Sequence, residues 1–322
     1  MDEQIDQILC AMSSALDNEE LALLKETLTH VLTDPSPLCS NRTNQDMLDL
    51  FISAKKVEGC SLNTLSYYEA TISKALSWLS KPLLRIQTDD LRRYLSDYQA
   101  TRGASPVTMN NMRRVLSSFF AWLEDEEIIL KSPMRRIKPI RTPQRVKETF
   151  SNEEIELMRE AVRCPRDLAI VDLLNSTGMR VGELVGLNRR DFNLEKHECV
   201  VTGKGNKERT VYFDDRTKLH LEAYFESRKD SLEAAFASLS NHNRRLGKDG
   251  VQKMIHLTAS RAGVARAFPH KFRRTLATRA IGKGMPIEQV QHLLGHKRID
   301  TTLHYAMVNE ANVKISHQRF IC

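Results

Sequence analysis

Cysteine is sparse in this 322-residue chain: six in all, scattered at Cys10, Cys39, Cys60, Cys164, Cys199 and Cys322, with no C-x-x-C pair among them. That usage provides neither a disulfide framework nor a zinc module and fits a reduced, intracellular chain. No stretch approaches the roughly 20 consecutive apolar residues of a membrane helix. The opening MDEQIDQILC has no basic segment followed by an apolar run, so it does not read as a signal peptide. A soluble, cytoplasmic protein is the expectation, with no membrane partner. Internal repeats and low-complexity tracts are missing. So is a P-loop, because GKGNK at residues 203–207 lacks the G-x-x-x-x-G-K-[ST] spacing.

Acidic charge becomes scarce beyond residue 40. The first 40 residues hold eight acids and one base, a net −7, whereas the remainder holds 47 bases and 33 acids, a net +14. A body this basic suits a polyanionic partner, with nucleic acid the commonest, although charge alone is equally consistent with a solvated basic surface. The length suggests two domains at roughly 100 to 200 residues each.

Apolar spacing divides the chain further. Ile5, Ile8, Leu9, Met12 and Leu16, then Leu21, Leu24, Leu28 and Leu32, predict two short amphipathic helices broken near Asp17-Asn18. DPSPLCS, residues 34–40, reads as a linker. From 41 to 130 a compact domain of four or five helices is expected. Ser61 is an N-cap ahead of the stripe Tyr68, Ile72, Leu76, Leu79, and Thr88-Asp89-Asp90 opens another helix. Ser105-Pro106 leads into Met109, Met112, Leu116, Phe119 and Leu123. Residues 131–149 are expected to form an extended basic linker, since KSPMRRIKPIRTPQRVKE carries three prolines and seven bases against one acid. Ser151-x-x-Glu154 is a capping box that starts a second domain, 150–322. That domain is helical apart from ECVVTGKGNKERTVYF, where two β-rich runs flank Gly205-Asn206 as in a hairpin.

The polar candidates each have an ordinary reading. Arg180 stands at a helix start, where arginines are usually surface residues, and Lys204 sits beside a hairpin turn, where lysines abound. His270 and Arg273, three apart after Pro269, share one helix face and could touch a single anion. His292 and His296 have metal-like spacing, but the glutamate of a zinc-protease helix is missing and Gly295 ends the helix. In LLGHKRIDTTLHYAMV, residues 293–308, a turn separates His296 from Tyr305, and the restarted helix could simply pack its phenol.

Taken together, STGMRVGEL, TGKGNKER, PHKFRRTLATRAI and LLGHKRIDTTLHYAMV resemble the motifs of the tyrosine recombinase, or phage integrase, family, in order, across roughly residues 44–308. Met179 replaces a more usual Leu, Arg274 a frequent His, and residues 226–262 match weakly. The acidic residues 1–40 are unlike the basic arm-binding domain of larger phage integrases. The resemblance implies a mainly α fold with a small β-hairpin or sheet (α+β), in which a helical core-binding domain and a catalytic domain form a C-shaped clamp around DNA. It implies Arg180, Lys204, His270, Arg273, His296 and Tyr305 as the catalytic set. A phosphodiester repels nucleophiles, so the chemistry is mostly positioning and charge stabilisation. Arg180 and Arg273 would fork onto the non-bridging oxygens. His270 would act as base toward Tyr305, His296 would bond a phosphate oxygen, and Lys204 would protonate the leaving 5′ oxygen. The product would be a 3′-phosphotyrosine and a free 5′-hydroxyl, with exchange proceeding through a Holliday junction and without ATP. None of the six positions is a carboxylate, so no metal and no other cofactor is expected.

The implied partners are double-stranded DNA with inverted-repeat core sites and three further copies of the chain, with an accessory DNA-bending or directionality protein as a further class. A nucleoid-associated location goes with them. Val313, Ile315, Phe320 and Ile321 in the tail 312–322 suggest cyclic exchange between neighbours, or else folding back on their own domain. Lys207, Arg209, Arg113 and Arg114 are candidate phosphate contacts. Three functions stay open: recombination of a mobile element or invertible segment, Xer-type resolution of replicon dimers, and a DNA-binding regulator that no longer cleaves. Tyr305 discriminates, since a pure binder has no need of it.

Overall fold

In the computed structural model, helices begin where the sequence supplies a cap. The structure describes residues 2–13, 15–33, 43–142, 148–203, 207–240, 244–296, 298–303 and 318. Two units divide the chain, residues 1–144 and 145–322. No helix among the described residues is long and apolar enough to cross a membrane.

The first unit opens with α1 (Asp2–Met12) and α2 (Asn18–Thr33), which pack on each other. The break falls where expected, because Asp17 caps α2: its carboxylate accepts from the Glu20 backbone N–H at 2.8 Å, and the Glu20 carboxylate accepts from the Asp17 N–H at 3.1 Å. Residues 34–40, read as a linker, lie outside the described residues. Next come α3 (Asn44–Val57), α4 (Leu62–Leu79), α5 (Thr88–Arg102) and α6 (Pro106–Asp125). Ser61 and Ser105 cap α4 and α6 as anticipated, and α5 ends at Gly103 with φ +57°. Phe51, Ile72, Leu91, Phe119 and Leu123 are fully buried between these helices. Phe51 meets Phe119 edge to face at 5.3 Å.

The basic segment after α6 departs from the extended linker expected over 131–149. Pro133–Arg136 forms a 3₁₀ turn with Pro133 at its first position, and Met134 is buried in the core of the first unit. The Thr88 hydroxyl donates to the Pro133 carbonyl at 2.8 Å, and Ile140 N–H donates to the Asn110 side chain at 3.2 Å. Three prolines and a run of bases suggested an extended strap, but Met134, with Ile137 and Ile140 packed beside it, ties the segment to the core of the first unit.

In the second unit the Ser151/Glu154 capping box opens α7 (Asn152–Glu160). The central helix, α8 (Pro165–Thr177), buries Ala169, Ile170, Val171, Leu173 and Leu174, so it is covered on several sides. Later helices α10 (Asp215–Ser227) and α12 (Pro269–Gly282) pack on it, and the short α9 (Val181–Gly186) follows it in the chain. The expected hairpin is present as antiparallel β2 (Glu198–Thr202) and β3 (Glu208–Tyr212), extended by a two-residue β1 (Phe192–Asn193) too short to signal itself. Cys199 pairs with Val211 and Val201 with Arg209; Cys199, Val201 and Val211 face the core. Helices α11 (Lys248–Arg261), α13 (Ile287–Leu294) and α14 (Ile299–Leu303) complete the described elements. This is the mainly helical fold with one small sheet that the sequence implied.

Candidate active site

The site is assembled around the C-terminal end of α13. A helix leaves its last carbonyls without intrahelical donors and carries partial negative charge there. Here three consecutive carbonyls each accept from a different arginine. Arg209 Nε on β3 donates to Leu293 O at 3.1 Å, Arg273 Nη2 on α12 to Leu294 O, and Arg180 Nη2 to Gly295 O at 3.2 Å. Gly295 ends α13 with φ +62°, a conformation that favours glycine. A Cβ there would also lie 3.1 Å from Arg209 Cδ.

Each arginine is delivered by local structure. Gly178 closes α8 at φ +59° so near to α12 that a Cβ would come within 2.7 Å of Leu276 Cδ2. Two residues later Arg180 caps α9, its N–H donating to the Glu183 carboxylate at 2.7 Å and its Nη1 to the other oxygen at 2.9 Å. Arg273 is buried, and its Nη1 donates to Gly178 O at 2.9 Å.

His296 follows Gly295 directly, and its Nδ1 lies 2.9 Å from the hydroxyl of Thr302, a buried residue of α14. Burial, then the charges of Arg273, Arg180, His270 and Arg209, push its pKa down to about 4, so the ring is neutral at pH 7. A neutral imidazole can donate to a phosphate oxygen without adding a charge that three arginines would repel. His270 lies exposed in the first turn of α12. Arg180, Arg273 and His296 are therefore brought together at the end of α13, with His270 near enough for its charge to act on His296. Arg180 and His296 also line a cavity of about 780 Å³, with Lys207, Arg209, Gln291 and His292 among others.

The depressed pKa has a measurable consequence. An unfolded chain protonates His296 near 6.5 and the folded one only near 4. Across that window the unfolded state binds the extra proton, so the DNA-free protein should lose stability as pH falls. After discounting for partial exposure the loss is on the order of 2 kcal/mol. Thermal melts at pH 7 and pH 4.5 should show a smaller acid loss in His296→Gln than in wild type; equal losses would refute the assignment.

Two residues of the expected set, Lys204 and Tyr305, lie outside the described residues, as does Lys207's neighbour Asn206 at the hairpin turn. Lys207 is exposed on the cavity and Arg114 is exposed on α6. The other two residues expected to contact phosphates are instead committed to protein partners. Arg209 grips both oxygens of Glu183, at 2.7 and 2.9 Å, with only 11% of its side chain exposed. Arg113 donates to Ile137 O at 3.3 Å and to Asn110 Oδ1 at 3.2 Å, holding the basic segment against α6. Sequence reasoning missed Glu183 and Thr302. Glu183 had a signal, since it stands at the third position of the helix that Arg180 caps.

Three guanidiniums and a neutral imidazole gathered at the end of α13, on a helical fold with a small sheet, form a site suited to phosphodiester chemistry. Residues 148–312 match the phage integrase family, and residues 47–130 match the N-terminal SAM-like domain of phage integrases. The chain belongs to the phage integrase family, the tyrosine recombinases of site-specific DNA recombination. It is 29% identical over 289 residues to the tyrosine recombinase XerD of Oceanobacillus iheyensis, covering 84% of this chain and 96% of that one. With XerC of Staphylococcus haemolyticus it shares 29% identity over 277 residues, covering 82% and 93%. Among solved structures, the XerH recombinase bound to a palindromic difH substrate in a post-cleavage complex has a TM-score of 0.68 at 21% identity, covering 97% of this chain and 93% of that chain. A lambda integrase dimer bound to a COC′ core site has a TM-score of 0.67 at 19% identity, covering 88% and 85%.

Proposed function

We propose that this chain cleaves duplex DNA at inverted-repeat core sites, through attack of Tyr305 on a phosphodiester made electrophilic by Arg180 and Arg273. The observation that carries the reading is the gathering of Arg180, Arg273 and Arg209 on the last carbonyls of α13, directly before His296. Attack forms a bond from the phenolic oxygen to phosphorus and expels the 5′ oxygen. His270 takes the phenol proton, and Lys204 supplies one to the leaving oxygen. The 3′-phosphotyrosine keeps the ester bond energy, so a second 5′-hydroxyl can reverse the step without ATP, and two such exchanges pass through a Holliday junction. His296, neutral and held by Thr302, donates to the phosphate rather than competing for its charge.

The test uses short nicked duplexes from DNA flanking the gene, incubated with protein in EDTA and resolved in detergent. A resistant protein–DNA band in EDTA establishes metal-free transesterification and maps the site. Salt-sensitive binding of one duplex without a band would instead support the non-cleaving regulator.

The acidic helices α1 and α2 support a recombinase of a mobile element or invertible segment, because they are an addition to the two matched domains. Similarity to XerC and XerD supports the second reading, resolution of replicon dimers. The active assembly is a homotetramer on two sites, with the tail 312–322 of each copy docked on its neighbour; apart from Gln318 the tail lies outside the described residues. Deleting 312–322 should leave protein on DNA smaller than a tetramer by analytical ultracentrifugation, and unchanged assembly would sink the exchange. An accessory DNA-bending or directionality protein would then choose among products.

A further inference from the structure

Glu183 is the one acidic side chain among the described residues that pairs with these arginines, and only 3% of its side chain is exposed. Burial raises its pKa, but hydrogen bonds from Arg209, then the Arg180 N–H, outweigh it and hold the carboxyl below its ordinary range. The two arginines share this anion unequally. Arg209 holds both oxygens, at 2.7 and 2.9 Å, and is itself 11% exposed; Arg180 reaches one oxygen at 2.9 Å and is 41% exposed. Gly203 closes over the pair, since a Cβ there would stand 3.3 Å from Glu183 Oε1 and 3.7 Å from Arg209 Nη1.

A buried carboxylate demands a cation, and an ion pair that satisfies it internally leaves that cation's charge unavailable elsewhere. If Arg180 were the only partner, Glu183 would draw its guanidinium into a full salt bridge and oppose its approach to phosphate. We propose that Arg209 is a positioning residue for the strand-cleavage reaction: it is the resident counter-ion of Glu183, and by neutralising that carboxylate it leaves the charge of Arg180 for the scissile phosphate. Glu183 then orients Arg180 through its N–H and one Nη without quenching it. The bond from Arg209 to Leu293 O sets the same guanidinium against α13, one turn-end away from His296. In this role Arg209 acts through Glu183 and Arg180 rather than on the reacting atoms.

This inference rests on the strand-cleavage reading above, and the experiment separates the two. The full-length protein is compared with Arg209→Met, Arg209→Lys, Glu183→Gln and the double variant Arg209→Met/Glu183→Gln. Each is assayed on the nicked duplex that gives a covalent band with wild type. Cleavage rate is read at saturating protein, affinity by gel shift, and folding by thermal melt. Charge balance predicts that each neutralising single variant cleaves at least tenfold slower than wild type while binding within about threefold. In the double variant neither charge is left unpaired, so it should cleave at least fivefold faster than Arg209→Met. A residue that merely propped up the hairpin would make the double variant as slow as the worse single, or slower. Should Arg209→Met fail to fold, Arg209→Lys decides, since it keeps the charge without the fork and should lose less than tenfold. The inference is overturned if Arg209→Met cleaves at the wild-type rate, if the double variant shows no recovery, or if Arg209→Lys cleaves a hundredfold slower while folded. Absence of any wild-type band would overturn the cleavage reading itself.

Discussion

Tyr305→Phe is expected to lose covalent capture altogether, with cleavage at least about 10⁴-fold below wild type. The substitution removes one oxygen and keeps the ring, so the loss reads chemistry. A tyrosine with a pKa near 10 is about 0.1% ionised at pH 7, so a hydroxyl that served only as a hydrogen bond would cost far less to remove. Wild type and variant should bind the same nicked duplex with equal affinity and equal salt slope, because the phosphate contacts proposed for Lys207, Arg114 and the active-site arginines do not involve the phenol. The readout is the detergent-resistant band in EDTA beside a gel shift on the same samples. A surviving band in the variant would place the nucleophile elsewhere and end the reading of 293–308 as a catalytic segment.

Much of the scaffold could be read from short range. Ser61, Ser105-Pro106, Ser151 with Glu154, and Gly295 each fix a helix end through contacts within four residues, and each stands where expected. The candidate site was readable for a related reason: its residues sit within contiguous motifs, at a helix start after Gly178 or a helix stop at Gly295. What escaped was the direction in which basic side chains point. Arg209 finds Glu183 26 residues away, and Arg113 finds Ile137 O 24 residues away. Those partners are brought up by tertiary packing, so on the sequence both arginines look like any exposed base. The stretch between α10 and α11 escaped for another reason. Its described residues are held by Arg228, donating to Ala234 O and Ala235 O, by Arg245, donating to Val185 O and Leu187 O, and by the short buried run 234–237, too brief to show a helical period.

Arg273→Lys should lower cleavage by roughly 10²- to 10³-fold and should also lower the melting temperature. Arg273 joins three elements: it rises from α12, donates to Gly178 O at 2.9 Å where α8 turns toward Arg180, and donates to Leu294 O at the end of α13. A planar guanidinium can hold two carbonyls on one side and still present N–H groups to a phosphate. An ammonium is a single point with three donors and a shorter reach, so a lysine must give up either a carbonyl or the phosphate. Leaving one buried carbonyl without its donor costs about 1–3 kcal/mol, which is the expected stability loss. The two effects can be separated, because 1 M salt weakens phosphate binding by screening but barely alters a buried hydrogen bond. Single-turnover cleavage and thermal melts on the same preparation give both numbers. A variant that melts lower but cleaves within threefold of wild type would show that Arg273 only fastens α12 to α13. Slow cleavage at an unchanged melting temperature would show that lysine keeps both carbonyls and abandons the phosphate. A fall in both is the outcome that a buried arginine serving scaffold and substrate with one guanidinium requires.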